Sequence, residues 1–174
     1  MQNPHFVLNY LRPTQLIYVR ETGSYDRSIP RAWQRLASWL NENGLYKPIG
    51  RGYGLARDNP ASVGAENCRY DACVETVAGL EDRSIRDLGV TTLPGGAYAC
   101  RRLFGGYDRI HSIVADSYSD FSPLAGLSFD HSRPVVTIYI DNPDRHFAHE
   151  LRADICVPVT TACEFERPKA AASA

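Results

Sequence analysis

Two aspartates, Asp71 and Asp154, are the residues whose type and placement best suit acid–base chemistry. They occupy matching places in two Arg-x-Asp-x-Cys-Val segments, at residues 69–74 and 152–157. A pair of carboxylates brought together can divide the roles of proton donor and proton acceptor. Nearby arginines offer ion pairs instead. The sequence favours ion pairs at both positions and leaves a catalytic pair as the alternative.

Histidines and cysteines show no pattern typical of a metal site or a nucleophile. His146 and His149 are three residues apart with His131 nearby, and no cysteine or acid completes a metal-binding spacing. The cysteines lack a CxxC spacing and a local catalytic signature. We predict no metal, no cofactor and no catalytic residue. We expect reduced thiols, with a disulfide or metal site as the alternative, at Cys68, Cys73, Cys100, Cys156 and Cys163.

An internal duplication supplies the elements that must position these side chains. A repeat of about 82 residues is too long for a solenoid unit and indicates duplication of a small module. Two copies meet at a seam, where small ligands often bind. Three blocks recur in order: residues 20–26 return as 102–108, 58–60 as 141–143, and 69–74 as 152–157.

Each copy is predicted to form a β-α-β-β module. The first helix is expected to begin at residue 28 or 29 and to end at Asn43 and Gly44. The fold class is therefore α+β, with antiparallel sheets about a pseudo-twofold axis, helices on one side and a shared central groove on the other. The predicted strands are residues 13–20, 50–57 and 69–77 in the first copy, and 89–93, 97–104, 135–140 and 152–159 in the second.

The duplication also sets the domain boundaries. We expect one domain at residues 13–160, made of repeats at 13–80 and 88–160 joined by a charged linker at 81–87. Residues 1–12 are left as an N-terminal extension and residues 161–174 as a flexible tail.

Differences between the copies point to a ligand site, because features present in both are expected to serve folding. One face of the strand over residues 50–57 carries Gly54 and Ala56, and the matching positions of the second copy carry Thr137 and Tyr139. Small residues in one half would leave room for a ligand, and Tyr139 would supply a stacking surface. The alternative is that Gly54 and Ala56 only allow close packing.

The first helix is more aromatic than its counterpart. Trp33 and Trp39 match Ala115 and Phe121 in the second copy. Aromatic residues at helical spacing usually lie in the core, and we assign both tryptophans there. Trp39, at the helix end, is also a candidate to reach the groove.

Glu75 is an acidic residue in a strand interior, where the second copy has Pro158. It would attract a cationic ligand, or it simply faces water near the strand end. With it, the predicted ligand-binding set is Tyr139, Thr137, Tyr53, Gly54, Ala56, Trp39 and Glu75.

Composition excludes several classes of partner. The net charge of −1 and the absence of a basic stripe argue against direct nucleic-acid binding. No window is long and apolar enough to cross a bilayer, and no leader peptide is evident. We expect a cytoplasmic protein without a membrane partner.

Six segments match a known family. Tyr-Val-Arg-Glu-Thr-Gly-Ser-Tyr at residues 18–25 and Leu-Pro-Gly-Gly-Ala-Tyr-Ala at residues 93–99 are the longest. The chain thereby resembles the gyrase-inhibitor-like, or AraC-type effector-binding, domain family over roughly residues 13–160. The resemblance implies a groove for lipophilic, often cationic or aromatic compounds. The other matching segments are residues 32–36, 68–74, 138–143 and 154–159.

One position departs from the family pattern. The family carries Glu two residues before the tyrosine of the second-copy strand, where this chain has Thr137. A hydroxyl cannot replace a carboxylate as proton acceptor near neutral pH. Hydrolysis and cation selection therefore require Glu75 or another carboxylate. Residues 1–12 are too few for a DNA-binding domain, so a regulatory role would need a separate partner.

The resemblance and the residues together favour a binding module for small hydrophobic or aromatic molecules, including cationic drugs or toxins. It would act as a sensor or by sequestering its ligand. Two alternatives are kept: a hydrolase of cyclopropane-type toxins, and an inhibitor that contacts gyrase through its surface. DNA gyrase or a transcription regulator is the protein partner that these roles imply.

Overall fold

The computed structural model describes residues 6–46, 50–76, 88–119 and 126–161. The predicted linker at residues 81–87 and the tail beyond residue 161 lie outside these ranges. The described strands are β1 (Val7–Leu11), β2 (Thr14–Thr22), β3 (Gly52–Ala56), β4 (Arg69–Glu75), β5 (Gly89–Leu93), β6 (Gly96–Phe104), β7 (Leu127–Phe129), β8 (Val135–Tyr139) and β9 (Arg152–Thr161). The described α-helices are α1 (Tyr25–Glu42), α2 (Pro60–Val63) and α3 (Ile110–Ser119).

Helix α1 begins at Tyr25, earlier than the predicted start at residue 28 or 29. Backbone amides of the next turn donate to the Ser24 carbonyl and close the first turn. Tyr25 fixes this start because its ring is buried and its hydroxyl donates to the Asp58 carbonyl at 2.6 Å. Pro30 consequently lies in the second turn of the helix rather than the first. The start of α1 is therefore set by a tertiary contact, which local sequence patterns do not reveal.

One antiparallel sheet joins the two copies, in the order β5-β2-β4-β3-β8-β9-β6-β1, with β7 paired to β9. Strands β3 and β8 form its centre, where Gly54 lies opposite Thr137. These two residues match at a shift of 83, so the pseudo-twofold axis passes between them. The α+β fold and its duplicated modules are therefore confirmed.

The copies exchange their edge strands. Strand β1 pairs with β6 of the second copy, and β5 pairs with β2 of the first. Two residues join β1 to β2, and two join β5 to β6, so connected strand ends lie within about 11 Å. The sheet must curl to bring its ends together. Residues 7–11, predicted only as part of an extension, form β1. Its side chains are mostly exposed and give no apolar alternation in the sequence.

Curling gives the sheet two buried faces. Helices α1 and α3 pack on the face that holds Ala56, Tyr70 and Tyr139. The opposite face holds Tyr53 and the cluster around it without a helix. The strand alternation predicted from the sequence is confirmed. The members of the second cluster are Leu16, Tyr53, Leu55, Cys73, Leu93, Tyr98, Cys100, Val136, Ile138 and Cys156.

Residues repeated in both copies form the same contacts twice. Tyr25 and Tyr107 each donate a hydroxyl to a backbone carbonyl, of Asp58 and Asp141 respectively. Those two aspartates in turn bind the guanidinium groups of Arg69 and Arg152. The shared motifs therefore fix the loop that precedes the last strand of each module.

Asp71 and Asp154 form ion pairs, as the sequence favoured. The side chain of Asp71 is fully buried and accepts from Arg20 at 2.6 Å and from Arg57 at 2.8 Å. Asp154 pairs with Arg102. Each carboxylate is thus engaged by arginines of its own module, in agreement with the ion-pair interpretation.

Candidate functional site

A cavity of about 630 Å³, which we call the α1 cavity, lies between α1, the central strands and the loop that joins β8 to β9. It is on the helix side of the sheet, whereas we expected the groove on the opposite side. The cavity lies where α1, the turn before α3 and the loop at residues 140–151 meet. Its lining includes Ile29, Pro30, Trp33, Ala37, Leu40, Tyr46, Gly50, Gly52, Val74, Tyr107, Tyr139 and Leu151.

Three aromatic rings, from Trp33, Tyr107 and Tyr139, form what we call the aromatic wall of the cavity. The ring centroid of Tyr139 lies 4.9 Å from that of Trp33 and 5.0 Å from that of Tyr107. Both pairs are edge-to-face, a favourable arrangement for aromatic rings. Trp33 comes from α1, Tyr139 from the end of β8, and Tyr107 from the turn before α3. The wall therefore joins both copies.

Tyr70, on β4, fixes two members of the wall from behind. Its hydroxyl lies 2.9 Å from the Tyr139 hydroxyl and accepts from the Trp33 indole at 3.2 Å. Burial raises the pKa of Tyr139 to about 12 and raises that of Tyr70 well above its ordinary value. Both phenols therefore stay neutral at physiological pH. They can orient an aromatic ligand, but they cannot act as bases.

Gly52 makes room for Trp33. A Cβ at this position would lie 2.5 Å from Cη2 of the Trp33 ring, closer than atoms can approach. The matching residue of the second copy is Val135, and Trp33 itself matches Ala115. The first copy therefore combines a glycine with a tryptophan, where the second has a valine and an alanine.

Four aspartates, Asp26, Asp108, Asp141 and Asp144, form the acidic rim of the cavity. Among the described residues that line the cavity there is no lysine or arginine, and His111 is the one histidine.

The rim carboxylates are held by different partners. A hydrogen bond from Ser24 lowers the pKa of Asp26, and two hydrogen bonds from Arg152 lower the pKa of Asp141 to about 2. Asp144 accepts from the Tyr46 hydroxyl. The rim is acidic because four carboxyl side chains and no lysine or arginine are among the described lining residues.

Of the residues predicted to bind ligand, Tyr139 lines the cavity. Thr137 is buried on the pseudo-twofold axis and does not line it. The space above Gly54 is filled by Tyr70, whose hydroxyl would lie 2.0 Å from a Cβ there. Ala56 is buried in the helix-side core, and Trp39 packs against that core. Gly54 and Ala56 thus fit the close-packing alternative.

Tyr53 and Glu75 lie on the other face of the sheet, because they alternate with Gly54 and Val74 along their strands. The Tyr53 hydroxyl donates to Glu75 Oε1 at 2.5 Å. Burial raises the pKa of Tyr53 to about 12. The structure therefore separates this hydrogen-bonded pair from Tyr139 and the α1 cavity.

Sequence reasoning missed Trp33, Tyr107 and the acidic rim. Comparison of the copies did flag Trp33 against Ala115, but helical spacing favoured the core. Tyr107 matches Tyr25, and a tyrosine found in both copies is expected to serve folding. Tyr25, the first residue of α1, is buried, whereas Tyr107 lines the cavity. The same residue in both copies can thus serve folding in one and line a site in the other.

The described ranges hold no cluster of His, Cys, Asp and Glu side chains suited to a metal ion. Four of the cysteines, Cys68, Cys73, Cys100 and Cys156, are buried and unbridged, and Cys163 lies outside these ranges. In the same part of the chain, no helix is long and apolar enough to cross a membrane.

Comparisons with known proteins agree with this architecture. A family model described as "GyrI-like small molecule binding domain" matches residues 5–160. A DNA gyrase inhibitor from Serratia proteamaculans is 30% identical over 126 residues, covering 67% of this chain and 79% of that protein.

Two solved structures share the fold at low sequence identity. EcmrR in a DNA complex aligns with a TM-score of 0.62 and 13% identity, over 90% of this chain and 57% of EcmrR. The present chain thus spans little more than half the length of that protein. SAV2435 bound to tetraphenylphosphonium aligns with a TM-score of 0.57 and 14% identity, over 90% of this chain and 94% of that one.

Proposed function

The chain belongs to the family of GyrI-like small molecule binding domains, and from this premise we propose that it binds lipophilic aromatic cations in the α1 cavity. The observation that carries the proposal is the aromatic wall of Trp33, Tyr107 and Tyr139 inside a cavity with an acidic rim. Aromatic faces attract cations, and the attraction grows when the site is shielded from water. A ligand that combines rings with a delocalised positive charge satisfies both features.

The acidic rim supports the same ligand class without the carboxylate that the family carries on β8. Thr137 occupies that position and is buried, so charge selection passes to the aspartates around the cavity. Asp141 is already paired with Arg152. Asp26, Asp108 and Asp144 have no ion pair with a described arginine or lysine, and they supply the attraction for the cation.

Binding without turnover is the simplest role for this site. The two wall phenols stay protonated, and the β8 position bears a hydroxyl rather than a general base. We propose that the protein sequesters its ligand in the cytoplasm. Sensing through a transcription regulator would require the same cavity and, in addition, a partner.

The proposal is tested by calorimetric titration with tetraphenylphosphonium. We expect Trp33→Ala to weaken binding at least tenfold, because it removes one face of the aromatic wall. Trp39→Phe is the matched control, since Trp39 packs against the core and does not line the cavity. Its affinity should stay within about twofold of wild type. Equal losses in the two variants, or no binding by wild type, would reject the proposal.

A second candidate function rests on the relative named DNA gyrase inhibitor. In this role the protein would contact gyrase through its surface. Inhibition of supercoiling by purified protein, kept in the Trp33→Ala variant, would support it. Unchanged supercoiling at a large molar excess of the protein would exclude it.

A further inference from the structure

A second cavity, of about 350 Å³, lies between β6 and the start of α3, and we call it the α3 cavity. It is separate from the acidic rim and has a different charge. Its charged lining residues are Arg101, Arg109 and Asp116, which together give a net charge of +1. The rest of its lining is mostly apolar: Leu103, Phe104, Gly105, Gly106, Tyr107, Ile110, Ile113 and Ala153.

Arg101 is the unusual residue of this cavity. At a shift of 82 its counterpart in the first copy is Val19, a buried member of the helix-side core. The second copy therefore places a guanidinium where the first has an apolar side chain. Features found in one copy only are candidates for function, because the first copy shows that the fold is compatible with valine there.

The environment of Arg101 leaves a donor unused. Its Nε is buried and has no hydrogen-bond partner among the described residues. The Phe6 ring covers the guanidinium, with 5.9 Å between the Arg101 Cζ and the ring centroid. A buried donor without an acceptor costs free energy, commonly about 1–3 kcal/mol. Burial also lowers the pKa of Arg101. An anion in the cavity would give the Arg101 guanidinium an acceptor.

We propose that the α3 cavity binds a small organic carboxylate through Arg101. A guanidinium matches the two oxygens of a carboxylate in a planar, bidentate arrangement. The net charge of +1 suits a singly charged anion. Leu103 and Ile113 would contact a short apolar or aromatic body attached to it.

The two cavities share a wall. Gly106 and Tyr107 line both of them. An anion at Arg101 therefore lies behind the ring that a cation would contact in the α1 cavity. The α3 site does not depend on the proposed cation site, and each can be tested when the other fails.

Benzoate and benzamide, which have nearly the same shape, separate charge from size. We expect calorimetry to detect benzoate binding to the full chain, and benzamide to bind at least tenfold more weakly. Arg101→Val, which restores the residue of the first copy, should weaken benzoate at least tenfold. Arg31→Gln is the control, since Arg31 lines neither cavity and the variant removes the same charge. Its benzoate affinity should not change.

Three results would overturn the proposal. The first is that wild type does not bind benzoate, and the second is that wild type binds benzoate and benzamide equally. The third is that Arg101→Val and Arg31→Gln lose the same affinity for benzoate. The comparison of benzoate with benzamide uses wild-type protein alone, so it decides the matter even if Arg101→Val fails to fold. Tetraphenylphosphonium affinity, measured in parallel, shows whether the α1 cavity is intact.

Discussion

The hydroxyl and the ring of Tyr139 have separable roles. The ring belongs to the aromatic wall, while the hydroxyl meets that of Tyr70 behind it. Tyr139→Phe removes one buried hydrogen bond, so we expect a loss of about 1 kcal/mol in the free energy of unfolding. Tetraphenylphosphonium affinity should stay within about threefold of wild type, because the ring remains. A tenfold loss of affinity in calorimetry would show that the hydroxyl contacts the ligand.

The ion pair of Asp141 and Arg152 makes stability depend on acid. Two hydrogen bonds of 2.8 Å hold the pKa of Asp141 at about 2, below its ordinary value of about 3.9. The stabilisation is complete above the unfolded pKa and is lost as the pH falls towards the folded pKa. We expect the Tm difference between wild type and Asp141→Asn to shrink from pH 4 to pH 2. Scanning calorimetry that finds a constant difference would contradict this.

At the scale of elements, the matched aspartates of the two modules offer an internal comparison. Asp71 is fully buried and accepts from Arg20 and Arg57, so it ties β4 to β2 and to the residue that follows β3. Asp154 is partly exposed and pairs with one arginine. Removing one partner of a buried pair costs about 3–5 kcal/mol, and an exposed pair contributes about 1 kcal/mol or less. Urea unfolding should therefore show a larger loss for Asp71→Ala than for Asp154→Ala. Equal losses would mean that burial does not distinguish them.

Gly52 on β3 leaves the space that the Trp33 ring of α1 occupies in the aromatic wall. Gly52→Val introduces the residue found at the matching position of the second copy, but its side chain would collide with Trp33. We expect tetraphenylphosphonium affinity to fall at least tenfold as the ring is displaced. Ala61→Val is the control, because Ala61 is exposed on α2 and does not line the cavity. Calorimetry that finds both variants unchanged would remove Gly52 from the site.

At the scale of the whole molecule, the repeat and the local patterns predicted the two modules and their pseudo-twofold arrangement, but not the exchange of edge strands between them. Alternation along β3 and β8 correctly divided Tyr53 from Tyr139, since it depends only on strand geometry. Pairing of β1 with β6 was not predicted, because an exposed edge strand carries no apolar signal.

The site was predicted less well than the fold. The strand comparison singles out Tyr139, which lines the candidate cavity. The cavity is lined by α1, the turn before α3 and the loop after β8, which are distant in the sequence and meet only through tertiary packing. From the sequence, Trp33 is expected in the core because of its helical spacing, and Tyr107 belongs to a motif found in both copies. Only their placement around the cavity in the structure suggests that they contact a ligand.

The central claim is that the α1 cavity selects aromatic cations, and it is tested most directly by comparing tetraphenylphosphonium with tetraphenylborate. The two ions have nearly the same size and shape and opposite charge. The acidic rim and the aromatic wall predict that the cation binds at least tenfold more tightly in calorimetry at low ionic strength, and that Trp33→Ala weakens it. Equal affinities for the two ions, or tighter binding of the borate, would contradict the claim.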